Sequence, residues 1–139
     1  MRYILDTENL AISYTVKKTP KIDGVFLHNI KKEILGKNYE LNIYFVGEKK
    51  IKNINKKYRN KDYVTDILSF PFLDENFGEI YICLNKVQSK AKLFNTNTEN
   101  YLNYLFIHGM IHLLGFDHGE DMDKLEKKYT KKLNIFYPY

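Results

Sequence analysis

The sequence predicts an α+β fold, with a mixed β-sheet of about four strands packed with helices, one of them central and buried. Strand-like and helical segments alternate along the chain, and one pair of predicted strands is joined by too few residues for a parallel crossover. One helical segment is apolar on nearly every side, as expected inside a core. The 139 residues contain no linker-like stretch and no internal repeat, so we expect a single domain over residues 1–139.

In the first half of the chain, caps and periodicity define three elements. Asp23 can cap a short helix whose apolar residues recur at helical spacing, and Gly36 follows where that helix should end. The segment ELNIYFV (40–46) predicts a strand, because its apolar residues alternate with polar ones. The segment KKIKNINKKYRNK (49–61) has apolar residues at helical spacing, so we expect an amphipathic helix over most of it.

The second half begins with two predicted strands, VTDILSFPF (64–72) and EIYICL (79–84), which are rich in β-branched and aromatic residues. The segment LDENFG (73–78) has turn chemistry and hairpin length, so these strands should be antiparallel within a mixed sheet. A helix is expected over NKVQSKAKLF (85–94).

The last two predicted elements are helices. Thr96 and Glu99 form a capping-box pattern ahead of NYLNYLFIHGMIHLL (100–114), the apolar segment, and Gly115 should end that helix. A final helix, roughly Glu120–Leu133, has acidic residues in its first turn and lysines near its end, which matches the helix dipole.

The composition says less about function than the motifs do. The 22 Lys and Arg residues against 17 Asp and Glu give a net charge of +5 and a pI near 9.1, which favours acidic partners such as nucleic acid. Cys83 is the only cysteine, so an intrachain disulfide is excluded. No segment has the layout of a signal peptide or a membrane span, and we expect a soluble, cytoplasmic protein with no membrane partner.

Three of the four histidines fall within FIHGMIHLLGFDHGED (106–121), at His108, His112 and His118. Residues four apart lie on one face of a helix, about 5 to 6 Å apart, so the first two can reach the same metal ion. Gly115 allows the chain to leave the helix with a positive φ and fold back. His118 can then supply a third ligand.

Three neutral imidazoles leave the fourth position of a tetrahedral zinc open to water, which is typical of a catalytic zinc site. Zinc lowers the pKa of a bound water to about 7 and makes it a usable nucleophile. Two alternatives are a hydrogen-bonded core histidine and a structural zinc, but no nearby cysteine or fourth histidine completes a closed shell. His28 lies far away in sequence, and we interpret it as a surface or packing residue.

The same spacing occurs in metzincin proteases, whose motif HExxHxxGxxH has a glutamate general base directly after the first histidine. That position is Gly109 in this chain. A peptidase of that class would lack its proton acceptor, which argues against such a function.

A second motif, NKKYRNKDYVTDILSFPF (55–72), lies upstream of HGMIHLLGFDH (108–118). Together the two motifs resemble the YbeY family of metal-dependent endoribonucleases, whose hallmarks look like HGxLHLxGYDH and, approximately, an Asn followed by YRxKDxPTDVLSFP. The segment GEIYIC (78–83) is also similar to the family's GDIxI strand. The resemblance therefore spans about residues 40–130.

The differences from the family motifs are small. Ile111 and Phe116 replace a leucine and a tyrosine in the histidine motif. In the upstream motif, Val64 stands where the family often has proline, and Ile67 replaces a valine.

The resemblance implies a zincin-like α+β fold with one divalent metal, usually assigned as zinc, on His108, His112 and His118. It implies cleavage of single-stranded RNA, with roles in maturation of the small-subunit ribosomal RNA 3′ end and in ribosome quality control. The implied partner is RNA, especially ribosomal RNA. The ribosome or ribosomal proteins are further candidate partners. It also makes Arg59 a functional residue.

We hypothesise that metal-activated water attacks a phosphodiester while Arg59 binds the phosphate, because a planar guanidinium can engage two phosphate oxygens at once. Asp117, next to a ligand, is a candidate to orient an imidazole or accept a proton, and a plain turn aspartate is the alternative. Asp66 and Ser69 lie on a predicted strand, where alternation leaves open which of them faces the site.

The predicted amphipathic helix also carries candidates for RNA binding, because sequence-independent affinity comes mainly from Lys and Arg at phosphates. Seven of the thirteen residues in this run are basic and none is acidic. The candidates are Lys49, Lys50, Lys52, Lys56, Lys57, Arg59 and Lys61. A solvated helix face with no partner is the alternative.

Two other functions stay open from the sequence. One is a zinc hydrolase of peptides or amides whose general base lies elsewhere. The other is a non-enzymatic, ribosome-associated RNA-binding module in which the metal only braces the fold. Chelator-sensitive hydrolysis of a substrate other than RNA would indicate the first, and RNA binding that survives loss of a metal ligand would indicate the second.

Overall fold

The computed structural model describes residues 2–139, which form one five-stranded sheet and five α-helices. The strands are β1 (Arg2–Thr7), β2 (Leu10–Tyr14), β3 (Glu40–Phe45), β4 (Ile67–Phe72) and β5 (Phe77–Ile82). The helices are α1 (Gly24–Ile34), α2 (Glu48–Arg59), α3 (Leu84–Leu93), α4 (Thr98–Leu113) and α5 (Glu120–Lys132). The predicted α+β class is confirmed.

The sheet has the order β1-β2-β3-β5-β4 and mixes both strand directions. β2, β3 and β5 run parallel, whereas β1 is antiparallel to β2 and β4 is antiparallel to β5. A short 3₁₀ turn, Leu73–Glu75, joins β4 to β5, and Asn76 closes it with a left-handed φ of 51°. The predicted hairpin and the mixed sheet are therefore confirmed.

The sheet has five strands rather than about four, because an N-terminal hairpin was not predicted. β1 and β2 pair around a tight turn in which Asn9 has a φ of 67°. β1 lies at the sheet edge, and its residues are exposed or half-buried on both faces, so it lacks the apolar alternation that identifies a half-buried strand. In β2, Leu10 and Ile12 do point into the core.

Most of the core lies between one face of the sheet and the helices α1, α3 and α4. α4 buries ten of its sixteen residues, which confirms the predicted central helix. Successive strand residues point to opposite faces of the sheet. On the face opposite α4, a smaller apolar cluster lies under α2 and consists of Val46, Ile51, Leu68 and Cys83. Within residues 2–139, no helix combines the length and apolarity needed to cross a bilayer.

The predicted caps are mostly correct. The Asp23 side chain accepts a hydrogen bond from the Phe26 amide at 3.1 Å at the start of α1, and Gly115 follows α4 with a φ of 100°. The α4 cap is one residue away from its predicted position. Asn97, not Thr96, caps this helix and accepts from the Asn100 amide at 2.7 Å. Both residue types are good caps, so the sequence alone does not separate them.

Gly78 on β5 permits α4 to approach the sheet closely. A Cβ at this position would meet the Tyr39 hydroxyl and would lie 2.8 Å from Leu113 Cδ2. We predict that Gly78→Ala lowers the free energy of unfolding by about 1 to 3 kcal/mol, the usual cost of overpacking a core. Urea denaturation with a linear extrapolation measures this difference.

Gly24→Ala is the matched control, because a Cβ there would lie 3.6 Å from Leu5 Cδ1, an ordinary contact distance. Its position in the first turn of α1 should tolerate alanine, which is a better helix former than glycine. Equal stability of the two variants would contradict the close packing of α4 against β5.

Candidate metal centre

The second half of α4 is apolar except for one stripe of polar side chains. Tyr104, His108 and His112 follow one another at intervals of four residues along this stripe, so they share one face. The two histidines are half-buried, whereas the residues on the other faces of the helix are mostly buried in the core. The apolar faces therefore fix the rotation of α4, and the stripe faces a cleft.

The three predicted metal ligands come together in the fold. His108, His112 and His118 each offer a ligand nitrogen, and these atoms all lie within 4.8 Å of one another. Metal–nitrogen bonds of about 2.0 to 2.1 Å place the ligand atoms of a tetrahedral zinc roughly 3.4 Å apart, so small side-chain movements suffice for one ion. His28 lies elsewhere, with its ring nitrogens 3.0 Å from Thr7 Oγ1 and 2.7 Å from the Gly24 carbonyl oxygen.

Two of the imidazoles have a fixed hydrogen-bond partner at Nδ1. His108 Nδ1 lies 3.0 Å from Glu126 Oε1, and His112 Nδ1 lies 2.8 Å from the carbonyl oxygen of Phe116. A carboxylate and a carbonyl are both acceptors, so each ring donates through Nδ1 and keeps its Nε2 lone pair for a ligand. This arrangement is the one expected around a metal, and the residues present fit a single divalent ion.

Glu126 is held as a carboxylate although it is only 3% exposed. Burial alone would raise its pKa, but hydrogen bonds from His108 and Tyr104 outweigh burial, and the pKa of this carboxyl lies below its usual value. Burial and the bond to Glu126 raise the pKa of Tyr104, so its phenol remains a donor. The His112 pKa is lowered by burial and then by His108, which favours the neutral, metal-binding imidazole.

The sequence analysis missed Glu126, which lies on α5 eighteen residues after His108. Only the structure shows that this residue is buried. Met122, Glu126 and Thr130 occupy successive positions at a spacing of four, and all three are buried. A charged residue within the buried stripe of an amphipathic helix requires a polar partner, because burying an unpaired charge is costly.

The cleft beside the histidines has a volume of about 630 Å³, and Arg59 lies on its wall. The Arg59 Nη2 atom donates to the Ser69 carbonyl oxygen at 2.6 Å, and the guanidinium carbon lies 5.0 Å from the centre of the Phe70 ring. Ser69 Oγ donates in turn to the Gly109 carbonyl oxygen at 3.2 Å. Arg59 is thus attached to the strand that packs against α4.

Asp66 and Ser69 both line the cleft, which resolves the ambiguity left by strand alternation. The Asp66 carboxylate accepts from the Tyr101 hydroxyl at 2.8 Å and lies 3.6 Å from Lys90 Nζ. Lys90, from α3, is a cleft cation that the sequence analysis missed, because only the fold brings α3 to this site.

Asp117 is exposed and lines the same cleft next to His118. The Nδ1 partners of His108 and His112 are Glu126 and Phe116, so neither of these rings uses Asp117 for its orientation.

The predicted basic run is exposed on α2 and just after it, but its members lie in different places. Arg59 and Lys61 line the histidine cleft, whereas Lys50 lines a neighbouring groove together with Arg59. Lys52 and Lys56 each lie 3.9 Å from an Asp62 oxygen, which partly offsets their charge. Lys49 and Lys57 line neither depression.

Gly109 explains why no glutamate follows the first histidine. A Cβ at Gly109 would lie 2.9 Å from Ile67 Cδ1 and 3.1 Å from both Ile80 Cδ1 and Ser69 Oγ. This side of α4 therefore packs against the sheet, and a carboxylate here would be buried between them. The general base of a metzincin protease cannot occupy this position.

Comparison with known proteins supports the same family that the motifs indicate. Residues 6–135 match the family Endoribonuclease YbeY. The Endoribonuclease YbeY of Finegoldia magna is 39% identical over 116 residues, which cover 75% of each chain. That of Wigglesworthia glossinidia brevipalpis is 36% identical over 136 residues, or 86% of each chain.

A solved structure is also similar. The solution structure of TM1509 from Thermotoga maritima is 32% identical, with a TM-score of 0.60 over 89% of this chain and 88% of that one. The family match at residues 6–135 includes the histidine cluster and β2 to β5. The chain belongs to the Endoribonuclease YbeY family.

Proposed function

We propose that this chain is a metal-dependent endoribonuclease that hydrolyses single-stranded RNA during ribosomal RNA processing. The observation that carries the proposal is the cluster of His108, His112 and His118 beside Arg59 in one cleft, within a chain of this family. The physiological role we propose is maturation of the small-subunit ribosomal RNA 3′ end and ribosome quality control. The chain would act in the cytoplasm as one catalytic domain, with the ribosome or its proteins as partners.

We propose zinc as the metal, held by the three histidines. Imidazole nitrogen suits zinc, and three protein ligands leave room for a water. When bound, the metal supplies a Lewis acid and a water molecule of lowered pKa. The carboxylate of Glu126 orients His108, and the Phe116 carbonyl orients His112, so the chain presents two of its ligands in a fixed tautomer.

Arg59 binds the phosphate in this proposal. One of its N–H groups is used by the Ser69 carbonyl, which leaves others to donate to phosphate oxygens. The contact with Phe70 also restrains the plane of the guanidinium. A fixed cation next to the scissile phosphate stabilises the negative charge that develops there during hydrolysis.

Asp117 is the candidate to accept or deliver a proton, because it is exposed in the cleft beside His118. Lys61 adds positive charge to the cleft wall and would attract the RNA backbone, whereas Asp66 partly offsets the charge of Lys90. No observation on the described residues favours a peptide hydrolase or a non-enzymatic module.

The first prediction concerns cleavage of a labelled single-stranded RNA. The purified chain should cut it, a chelator should abolish cutting, and added zinc should restore it. His112→Ala should slow cleavage by about 100-fold or more, because a metal supplies several kcal/mol of transition-state stabilisation. The initial rate of product formation measures each effect.

His28→Ala is the matched control, since this histidine lies outside the cluster and should leave the rate unchanged. Cutting by the chelated wild type and by His112→Ala at the rate of the untreated wild type would count against a metal-dependent reaction. RNA binding without any cutting would favour the non-enzymatic module instead.

The second prediction concerns Arg59. Arg59→Ala should lower kcat/KM for RNA cleavage by about 100- to 1000-fold, the usual loss when a donor to developing charge is removed. Arg59→Lys should recover part of this loss, because it keeps the charge but not the planar fork. Lys49→Ala, on the same helix but outside both depressions, should change the rate little. A wild-type rate for Arg59→Ala would remove Arg59 from the mechanism.

The third prediction concerns Glu126 as a positioning residue. Glu126→Ala should weaken zinc binding by about 10- to 100-fold, because His108 loses the acceptor that fixes its ring. Glu126→Gln should lose less zinc affinity than Glu126→Ala, since an amide oxygen can still accept a hydrogen bond from His108 Nδ1. Competition with a chromophoric chelator measures the affinity, and circular dichroism reports folding.

Glu120→Ala is the control on the same helix, because Glu120 is exposed and its carboxylate lies 3.7 Å from Lys124 Nζ. If folded Glu126→Ala bound zinc as tightly as this control, Glu126 would have no role in holding the metal ligand.

A further inference from the structure

A second groove shares Arg59 and Pro71 with the histidine cleft, so the two depressions adjoin at these residues. It has a volume of about 680 Å³ and lies between α2 and the outer face of β4 and β5. Alternation along β4 explains this position. Ser69 points towards α4, so Phe70 points to the opposite face, on which α2 packs.

Aromatic rings form one wall of this groove. The ring centres of Tyr58 and Phe70 lie 5.6 Å apart with an edge-to-face angle, and those of Phe70 and Tyr81 lie 5.9 Å apart in the same manner. Tyr58 is 61% exposed and Phe72 is 41% exposed. The Phe72 ring stacks on Phe77 with the ring centres 5.0 Å apart, so Tyr58 and Phe72 are two separate exposed rings of this wall. Exposed apolar side chains grouped in one groove mark a binding surface.

Cations lie along the rim of the groove. Lys50 and Arg59 line it, and Arg59 stacks on Phe70. Lys57 does not line the groove, but its Nζ lies 5.2 Å from the Tyr58 ring centre. Among the described residues that line the groove, Glu79 is the one acid, and its carboxylate accepts from the Tyr44 hydroxyl at 3.0 Å. The groove thus combines flat, accessible rings with positive charge.

We propose that this groove binds the bases of nucleotides that flank the scissile phosphate, by stacking on Tyr58 and Phe72. The inference rests on the proposed function and adds a substrate subsite to it. Single-stranded RNA has the required chemistry, because its unpaired bases stack on aromatic side chains and its phosphates meet Lys and Arg. Arg59, at the junction of the two depressions, would hold the phosphate between the flanking bases and the histidines.

The shared residues also favour RNA over an apolar peptide as the occupant. Because the cleft and the groove share Arg59 and Pro71, an RNA strand with a phosphate at Arg59 would lie beside both. A peptide would gain little from the cationic rim, whereas a polyanion gains affinity from each phosphate that it places there.

The test uses the full chain and a labelled single-stranded oligoribonucleotide, with a chelator present so that cleavage does not consume the ligand. Tyr58→Ala and Phe72→Ala should each weaken binding by about 5- to 150-fold, the range expected for loss of one base-aromatic stack. Tyr58→Phe should bind like the wild type, because it keeps the ring. Tyr3→Ala, which removes an aromatic residue that is 52% exposed on β1, is the matched control.

A fluorescent reporter distinguishes base stacking on the ring from electrostatic binding of phosphate. The chain has no tryptophan, so Tyr58→Trp introduces a single one. RNA should quench its emission, whereas inorganic phosphate should not, and Tyr3→Trp should not respond to RNA.

Metal-dependent cleavage by the wild type is measured in parallel. If the wild type cleaves RNA but Tyr58→Ala and Phe72→Ala bind it as tightly as Tyr3→Ala, and Tyr58→Trp is not quenched, the groove proposal is wrong while the proposed function stands. If the wild type neither binds nor cleaves RNA, both are wrong. Binding of an apolar peptide in place of RNA by the same rings would also overturn the groove proposal.

Discussion

The contact between α4 and β4 sets the distance between the histidines and Arg59, and it passes through one residue. The Ser69 hydroxyl bonds to the Gly109 carbonyl of α4, and its own carbonyl accepts from Arg59. Gly109 permits this approach, because any larger residue there would crowd Ile67 and Ile80. The helix that carries two metal ligands and the cation proposed to bind phosphate are therefore joined by two hydrogen bonds within a packed region.

α5 supplies the hydrogen-bond acceptor that His108 needs in this packed region. A histidine pair on the surface of a buried helix needs acceptors to fix its tautomers, and acceptors in a partly buried site must themselves be satisfied. Glu126 accepts from both His108 and Tyr104, so its buried charge is shared between two donors. The three side chains then form a network in which removal of one leaves the others unsatisfied.

Local features could be predicted from the sequence, and features that depend on the fold could not. His108, His112 and His118 lie on one helix and the loop after it, so spacing alone brings them together. Glu126 and Lys90 reach the site only because α5 and α3 pack against α4. Their sequence spacing from the histidines carries no such information.

Which side chains of β4 face the cleft also depends on the fold. Alternation left open whether Asp66 and Ser69 face the cleft, and both line it. Asp66 lies just before β4, which begins at Ile67, so strand alternation does not decide its direction. The N-terminal hairpin was missed because β1 is an edge strand with no buried face. For the cleft residues, the deciding contact joins Ser69 to Gly109, which are forty residues apart in sequence.

Titration of demetallated protein with zinc, followed by the rate of RNA cleavage, tests the central claim most directly. The claim is that one ion on three histidines supports hydrolysis, so activity should rise linearly and reach its plateau at one equivalent per chain. X-ray absorption of that sample should show imidazole nitrogen as the protein ligand. A plateau at another stoichiometry, or cleavage that does not depend on added metal, would contradict the claim.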